Sequence, residues 1–321
     1  AGKFNVSLGY ASLSGNTVGF GSVAVGHSAL QAQNYTTATN AYNTALGHIA
    51  GAAVTTGTRN ALVGSLSGDA FTDADDNVGL GFATLSSDTL GSRSTAVGSY
   101  ALLTQNNTTA TLSYNTAVGY EAASGLTTGI HNTFVGGLVA QGATVTGRDN
   151  TCVGFNSGNS LTSGANNLLL GHDAGIAGSP GGATVTGING IVFGDESIAS
   201  AHIQVALTVA SDQRDKTDFV DLDLGLDFVK ALEPVTYYWD KRSKYGDKYA
   251  DDYDLNAQTP DGTHKEDWMD IGFKAQSVQA LEEAAGYKVA DKKNLTVSLS
   301  DDGKQYGLKY EKFIPILVKA I

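Results

Sequence analysis

Cysteine occurs once in the 321 residues, at Cys152. No internal disulfide framework can therefore form, and no set of thiolates is available for a structural zinc site. The redox compartment is left open. Basic residues are scarce, with Lys+Arg 20 against Asp+Glu 32 and a formal net charge of −12. Affinity for phosphates comes from clustered Lys and Arg, and no basic stripe interleaved with aromatics exists, so a nucleic-acid partner is excluded. There is no run of about 18 apolar residues and no charged-then-apolar start, which argues against membrane insertion and a secretory signal. An initiating Met is also missing, and the chain reads as a soluble fragment of something longer.

The length suits two domains, and 41% apolar residues suffice for packed cores. Their distribution is uneven. Of 40 glycines, 33 precede Ser211, whereas both tryptophans and three of the four prolines follow it. Residues 1–210 hold only 4 of the 20 Lys+Arg and 10 of the 32 Asp+Glu, so each side of that point carries −6. A boundary near residue 200 follows.

What fills the first part is a pentad: Asn or Ser, two small or apolar residues, an aliphatic residue and Gly. It begins at Asn5 (NVSLG), Ser22 (SVAVG), Asn43, Asn60, Asn77, Ser94, Asn115, Asn132, Asn150 and Asn167, and a variant begins at Gly190 (GIVFG). Most gaps are 17 residues, with 21 after Ser22 and after Ser94, 18 after Asn132 and 23 after Asn167. The two 21-residue gaps carry the inserts QNYTTATNAY and QNNTTATLSY. A fixed period of this size means that each repeat is one supersecondary unit, which cannot bury its apolar face alone and is stabilised by its neighbours.

Seventeen residues cannot comfortably supply two helices and two turns, whereas β-branched runs closed by TTG-like turns fit short strands. The sequence therefore predicts a parallel β-solenoid. The aliphatic residue before Gly (Leu46, Val63, Leu80, Val97, Val118, Val135) is the expected core position, and the Gly permits a corner that a Cβ would obstruct. Ten steps at ordinary strand separation give a rod about 50 Å long. The pentads resemble the repeats of trimeric autotransporter adhesin heads and phage fibre shafts. That resemblance, and not the periodicity, implies a left-handed β-roll and a homotrimer.

Few residues of the shaft suggest chemistry. His27, His48 and His172 each follow a pentad Gly, so His27 and His48 are expected to stack on adjacent coils, where exposed turn histidines ordinarily bind nothing. The acid run Asp73, Asp75 and Asp76 lacks the ligand count of a calcium loop and reads as a solvated turn. Cys152 replaces the small residue of its pentad and reads as a packed hydrophobe. The glycines follow the coil period and form no phosphate cradle. No metal and no cofactor is expected, and the carboxylates show no facing pair for a glycan-degrading site.

Beyond the shaft, HIQVALTV at residues 202–209 alternates like a strand. Residues 219–232 carry apolar residues at helical spacing and stop before Glu233 and Pro234. Between them stands SDQRDK, residues 211–216. By itself the hexapeptide reads as a charged helix entry with Ser211 or Asp212 as N-cap. Four blocks in order change that reading: SDQRDK, GLDFVKALEPVTYYW (225–239), GFKAQSVQAL (272–281) and YEKFIPILVKAI (310–321). Together they resemble the intramolecular chaperone autoprocessing domain found at the C-terminus of phage endosialidase tail spikes, other phage fibres and some eukaryotic membrane-bound transcription factors.

The resemblance implies a catalytic dyad of Ser211 and Lys216 and a cut between Ala210 and Ser211. A serine hydroxyl needs a base to take its proton, and a lysine serves only when burial or a nearby cation lowers its pKa, so Lys216 should be partly desolvated. A spacing of five on one helix would point the two side chains about 140° apart, so a turn must lie between them, with Asp212 and Arg214 shaping it. Asp215 could instead hold Lys216 protonated and inactive. Relatives of this kind usually continue into a long helix, whereas this sequence stops at Ile321. Residues 244–267 look like an insertion, and its Asp251, Asp252 and Asp254 read as solvated loop rather than metal site.

The expected organisation is thus a mainly β protein. A β-solenoid shaft (residues 1–198) leads through a neck strand (199–210) to a small α+β chaperone domain (211–321). The resemblance implies the distal segment of a viral tail fibre or spike, made in the host cytoplasm and carried on the virion. Its partners would be two further copies of itself and a host cell-surface receptor of glycan type. The alternative is a non-cleaving structural adhesin fibre whose C-terminal domain only nucleates trimers.

Overall fold

The computed structural model describes residues 2–142, 144–250 and 252–321. The chain divides into two compact units, Ala1–Asp195 and Glu196–Ile321. The first is a parallel β-solenoid of about ten turns, in which one strand from each pentad joins an eleven-stranded sheet whose order follows the chain. Pentad lies on pentad in register: Ala45 pairs with Leu62, Leu62 with Gly79, and Gly79 with Ala96.

The first residue of the pentad decides which way the strand faces. Asn43, Asn60 and Asn77 are buried and form a ladder along the sheet. Asn43 Oδ1 accepts the backbone N–H of Asn60 at 2.9 Å, and Asn60 Oδ1 accepts that of Asn77 at 3.0 Å. Each amide group also donates forward to a turn carbonyl, as Asn60 Nδ2 does to Ala74 O at 2.7 Å. The ladder resumes from Asn115 through Asn132 and Asn150 to Asn167. Since side chains alternate along a strand, an inward Asn places the third pentad residue inward and the fourth outward.

This corrects the expected core position. Ala45, Leu62, Phe134 and Leu169, each in the middle of its strand, are fully buried, whereas Leu46 and Leu80, which precede the Gly, are 46% and 48% exposed. Large and small residues alternate inside, with Leu62 between Ala45 and Gly79, and Phe134 between Ala117 and Cys152. The pentad Gly is required where expected. Gly26 has φ +134°, and a Cβ there would meet the carbonyl oxygen of Gly47 at 2.3 Å.

At Ser22 and Ser94 the ladder lacks its amide, and these are the two pentads followed by 21-residue gaps. The inserts supply the missing group. Gln33 Oε1 accepts from Asn43 Nδ2 at 2.9 Å, and Gln105 Oε1 accepts from Asn115 Nδ2 at 2.8 Å. Each insert also adds a short parallel pairing, Gly19–Phe20 with Thr39–Asn40 and Gly91–Ser92 with Thr111–Leu112.

Corners are turned by residues other than glycine in the left-handed region. In one coil these are Asp76 (φ 59°), Ala83 (φ 52°) and Leu85 (φ 53°), and the same positions recur along the shaft. Their N–H groups bond to the coils on either side: Asp76 to Thr58 O and Ala83 to Ser65 O behind, Leu85 to Ala101 O ahead. The acid run expected as a solvated turn therefore bridges coils. Asp73 accepts from Thr56 at 2.7 Å, Asp75 from Thr58 at 2.8 Å, and Asp76 forms an ion pair with Arg59. The Arg59 guanidinium holds the Asp76 carboxyl below the usual carboxylate range.

The second unit is α+β. Helix α1 (Leu226–Ala231) leads to strand Val235–Tyr238, paired antiparallel with Met269–Gly272; helix α2 (Ala275–Ala284), a hairpin of Val297–Leu299 with Tyr306–Leu308, and helix α3 (Phe313–Ala320) follow. Its core joins Leu224, Phe228, Val278, Val297, Phe313 and Ile316. Inside it, Glu282 of α2 is buried and accepts from the N–H groups of Leu295 and Thr296 at 3.1 and 2.7 Å and from the Thr296 hydroxyl at 2.5 Å.

Two sequence readings need correction here. The helix expected over residues 219–232 spans only Leu226–Ala231, starting at Gly225 and stopping at Leu232 before Pro234. Upstream, DLDLG alternates with period two, and its Leu224 is buried on the core as an extended segment would bury it. Residues 202–209 form no strand. Ile203, Val205, Leu207 and Val209 are 60–78% exposed, since the alternation has no neighbouring strand in a single chain. Of the acidic insertion, Asp251 lies outside the described residues. Asp254 is exposed, and it also caps the turn Leu255–Ala257 and pairs with Lys304 at 2.9 Å.

Candidate active site

Ser211 opens a short turn. Asp212 follows with extended backbone, its side chain accepts the N–H of Arg214 at 2.9 Å, and Gln213–Asp215 make one turn of 3-10 helix that ends at an extended Lys216. The Arg214 guanidinium closes on the Asp212 carboxylate at 2.6 Å. That contact holds the Asp212 carboxyl below, and the Arg214 guanidinium above, their ordinary values. Asp212 and Arg214 thus hold the turn and leave Ser211 and Lys216 on the same side of it. Lys216 Nζ donates to Ser211 Oγ at 2.6 Å.

The two side chains are within hydrogen-bond distance, but their surroundings differ from expectation. Residues 210–218 are all exposed in the single chain, so Lys216 is not desolvated there. Among the described residues no ion pair joins Asp215 to Lys216. A side chain that donates to the hydroxyl orients it without taking its proton. Base catalysis needs Lys216 neutral and accepting. Ala210, on the other side of the expected scissile bond, is exposed as well.

The shaft holds the other groups that the sequence singled out. The rings of His27 and His48 stack at 5.2 Å, and Tyr10 stacks on His27 at 5.3 Å. Cys152 is fully buried, and burial pushes its thiol up to about 12, which leaves it inert as a nucleophile. His172 is different, because Asp173 and Asp195 face its ring. The sequence carried a signal for this: Asp195 follows Gly194 as His172 follows Gly171, one coil apart.

Comparison with known families bears on the second unit. Residues 211–287 match the family model described as Chaperone of endosialidase, a family of self-cleaving peptidases, and the match begins at Ser211. Three of the four sequence blocks lie within it, and YEKFIPILVKAI lies beyond. No curated protein and no solved structure matches the chain. The class is thereby defined: a β-solenoid of about ten turns followed by a C-terminal segment of the endosialidase-chaperone type, an arrangement that fits a tail fibre.

Proposed function

We propose that this chain is the distal part of a viral tail fibre or spike. In this reading the C-terminal domain directs assembly of a homotrimer and is then released by its own cut between Ala210 and Ser211. Ser211 Oγ attacks the Ala210 carbonyl as Lys216 takes its proton, the Ala210–Ser211 C–N bond breaks with that proton passed to the freed Ser211 amine, and water then hydrolyses the resulting ester. The observation that carries the proposal is the coincidence, at one residue, of the start of the family match and the 2.6 Å Lys216–Ser211 contact.

Exposure of Lys216 in one chain fits a reaction that waits for assembly. Burial of its ammonium against other chains would lower its pKa and free the lone pair. Apolar surface for such assembly exists in both units. Val63, Leu80, Val97 and Val118 stand in register on the outer side of the sheet, and Ile203, Val205, Leu207 and Val209 alternate beside the candidate site. Three copies would cover these faces, which in one chain stay wet. Host attachment belongs to the shaft in this proposal. A groove of about 510 Å³ lined by Tyr100, Glu121 and Gln141 offers a sugar an aromatic ring, a carboxylate and an amide.

Denaturing electrophoresis of the full chain tests the cleavage. Two pieces of about two thirds and one third of the chain are expected, and one intact band for Ser211→Ala and Lys216→Met. An intact wild type that still forms trimers would favour the second reading, a non-cleaving fibre whose C-terminal domain only nucleates assembly. The exposed, donating Lys216 is the observation on that side.

A further inference from the structure

We propose that the insertion at residues 244–267 retains the C-terminal domain after the cut, by gripping the upstream fragment at Glu196 and Ser197. The inference rests on the proposed cleavage between Ala210 and Ser211, and the partner it names is the other fragment of this same chain. The second compact unit begins at Glu196 and not at Ser211, so it contains chain from both sides of that bond. Cutting the bond therefore divides the unit covalently without removing the contacts inside it.

Three lysines make the grip. Glu196 Oε1 meets Lys248 Nζ at 3.0 Å and Lys244 Nζ at 4.0 Å. Lys244 also donates to the Ser197 hydroxyl, and Lys241, just before the insertion, donates to the Glu196 carbonyl at 2.8 Å. The side chains of Glu196 and Lys248 are only 5% and 13% exposed, so water and salt screen their attraction weakly. Glu196 Oε2 is buried with no hydrogen-bond partner, which leaves the carboxylate dependent on the lysines beside Oε1. The lysines are in turn fixed by chain far downstream of the cut. Between Lys241 and Lys244, Arg242 donates to the carbonyl of Lys304 at 2.7 Å and to Asn256 Oδ1 at 2.8 Å. Lys304 pairs with Asp254, and Leu255 of the insertion is 1% exposed. Residues 198–210, from the grip to the cut, are exposed and form no helix or strand, so a break there costs none of these contacts.

The test uses the full chain with a recognition site for a specific protease placed in the exposed segment 203–208, so that the chain can be cut whether or not it cuts itself. Native size-exclusion chromatography, followed by denaturing electrophoresis of the fractions, reads whether the two pieces travel together. Co-elution of the wild-type pieces is expected after either cut. In Glu196→Gln and Lys248→Met the C-terminal piece should leave at least about 30-fold faster on dilution, as for loss of one partner of a buried charge pair. Should Glu196→Gln fail to fold, Lys248→Met decides. An uncut wild type in the absence of protease would count against self-cleavage and not against the grip, which the protease-cut chain then decides. Prompt separation of the wild-type pieces would overturn the proposal, and so would retention in both variants as long as in the wild type.

Discussion

Glu282 shows how a single residue can fix a domain. Its carboxylate collects two backbone N–H groups and a hydroxyl in the core of the second unit, where water cannot replace it. Glu282→Ala leaves those donors unpaired and should destabilise that unit by about 3 kcal/mol, read from the urea midpoint of its transition. Cys152 marks the opposite case, a reactive type made inert by burial. Because its thiol stays protonated up to about pH 12, a thiol reagent at pH 8 should label it only as the chain unfolds, and labelling of the native protein would contradict the burial. Both roles were unequally visible beforehand. Cys152 occupies a small-residue slot of a repeat and announces its packing, whereas nothing in the run QALEEAA around Glu282 distinguishes the one acid that turns inward.

At the scale of the element, the coil is held by its asparagine. Asn60→Leu keeps the volume but strands the N–H of Asn77 and the carbonyl of Ala74, a loss of about 2–4 kcal/mol. Its measurable form is faster unfolding in guanidinium than wild type. Gln105→Ala should behave alike, because Gln105 stands in for the amide that Ser94 lacks. The period, the strand and the Gly corner were all legible in the sequence. The inward residue was not, because Val and Leu before Gly look like core by hydrophobicity, while the buried amide that sets the alternation looks like a turn residue. The coincidence of each Ser pentad with a Gln-Asn insert was the missed clue. In the candidate site the turn of SDQRDK could be derived from spacing, but the solvation of Lys216 could not, since it depends on what surrounds the turn.

For the whole molecule, each coil of the shaft is an incomplete object. Deleting residues 211–321 should leave a shaft that does not reach soluble trimer, checked by size and light scattering. Trimer formed without that region would separate assembly from the C-terminal unit. The left-handed residues at each corner, such as Asp76, Ala83 and Leu85, give this a further meaning. Each costs about 1–2 kcal/mol and is held there by bonds to the coils ahead and behind. A coil in isolation would bear the strain with none of those bonds, so the costly step is ordering the first few coils, and each later coil is added to a neighbour already in place, as a crystal grows at its face.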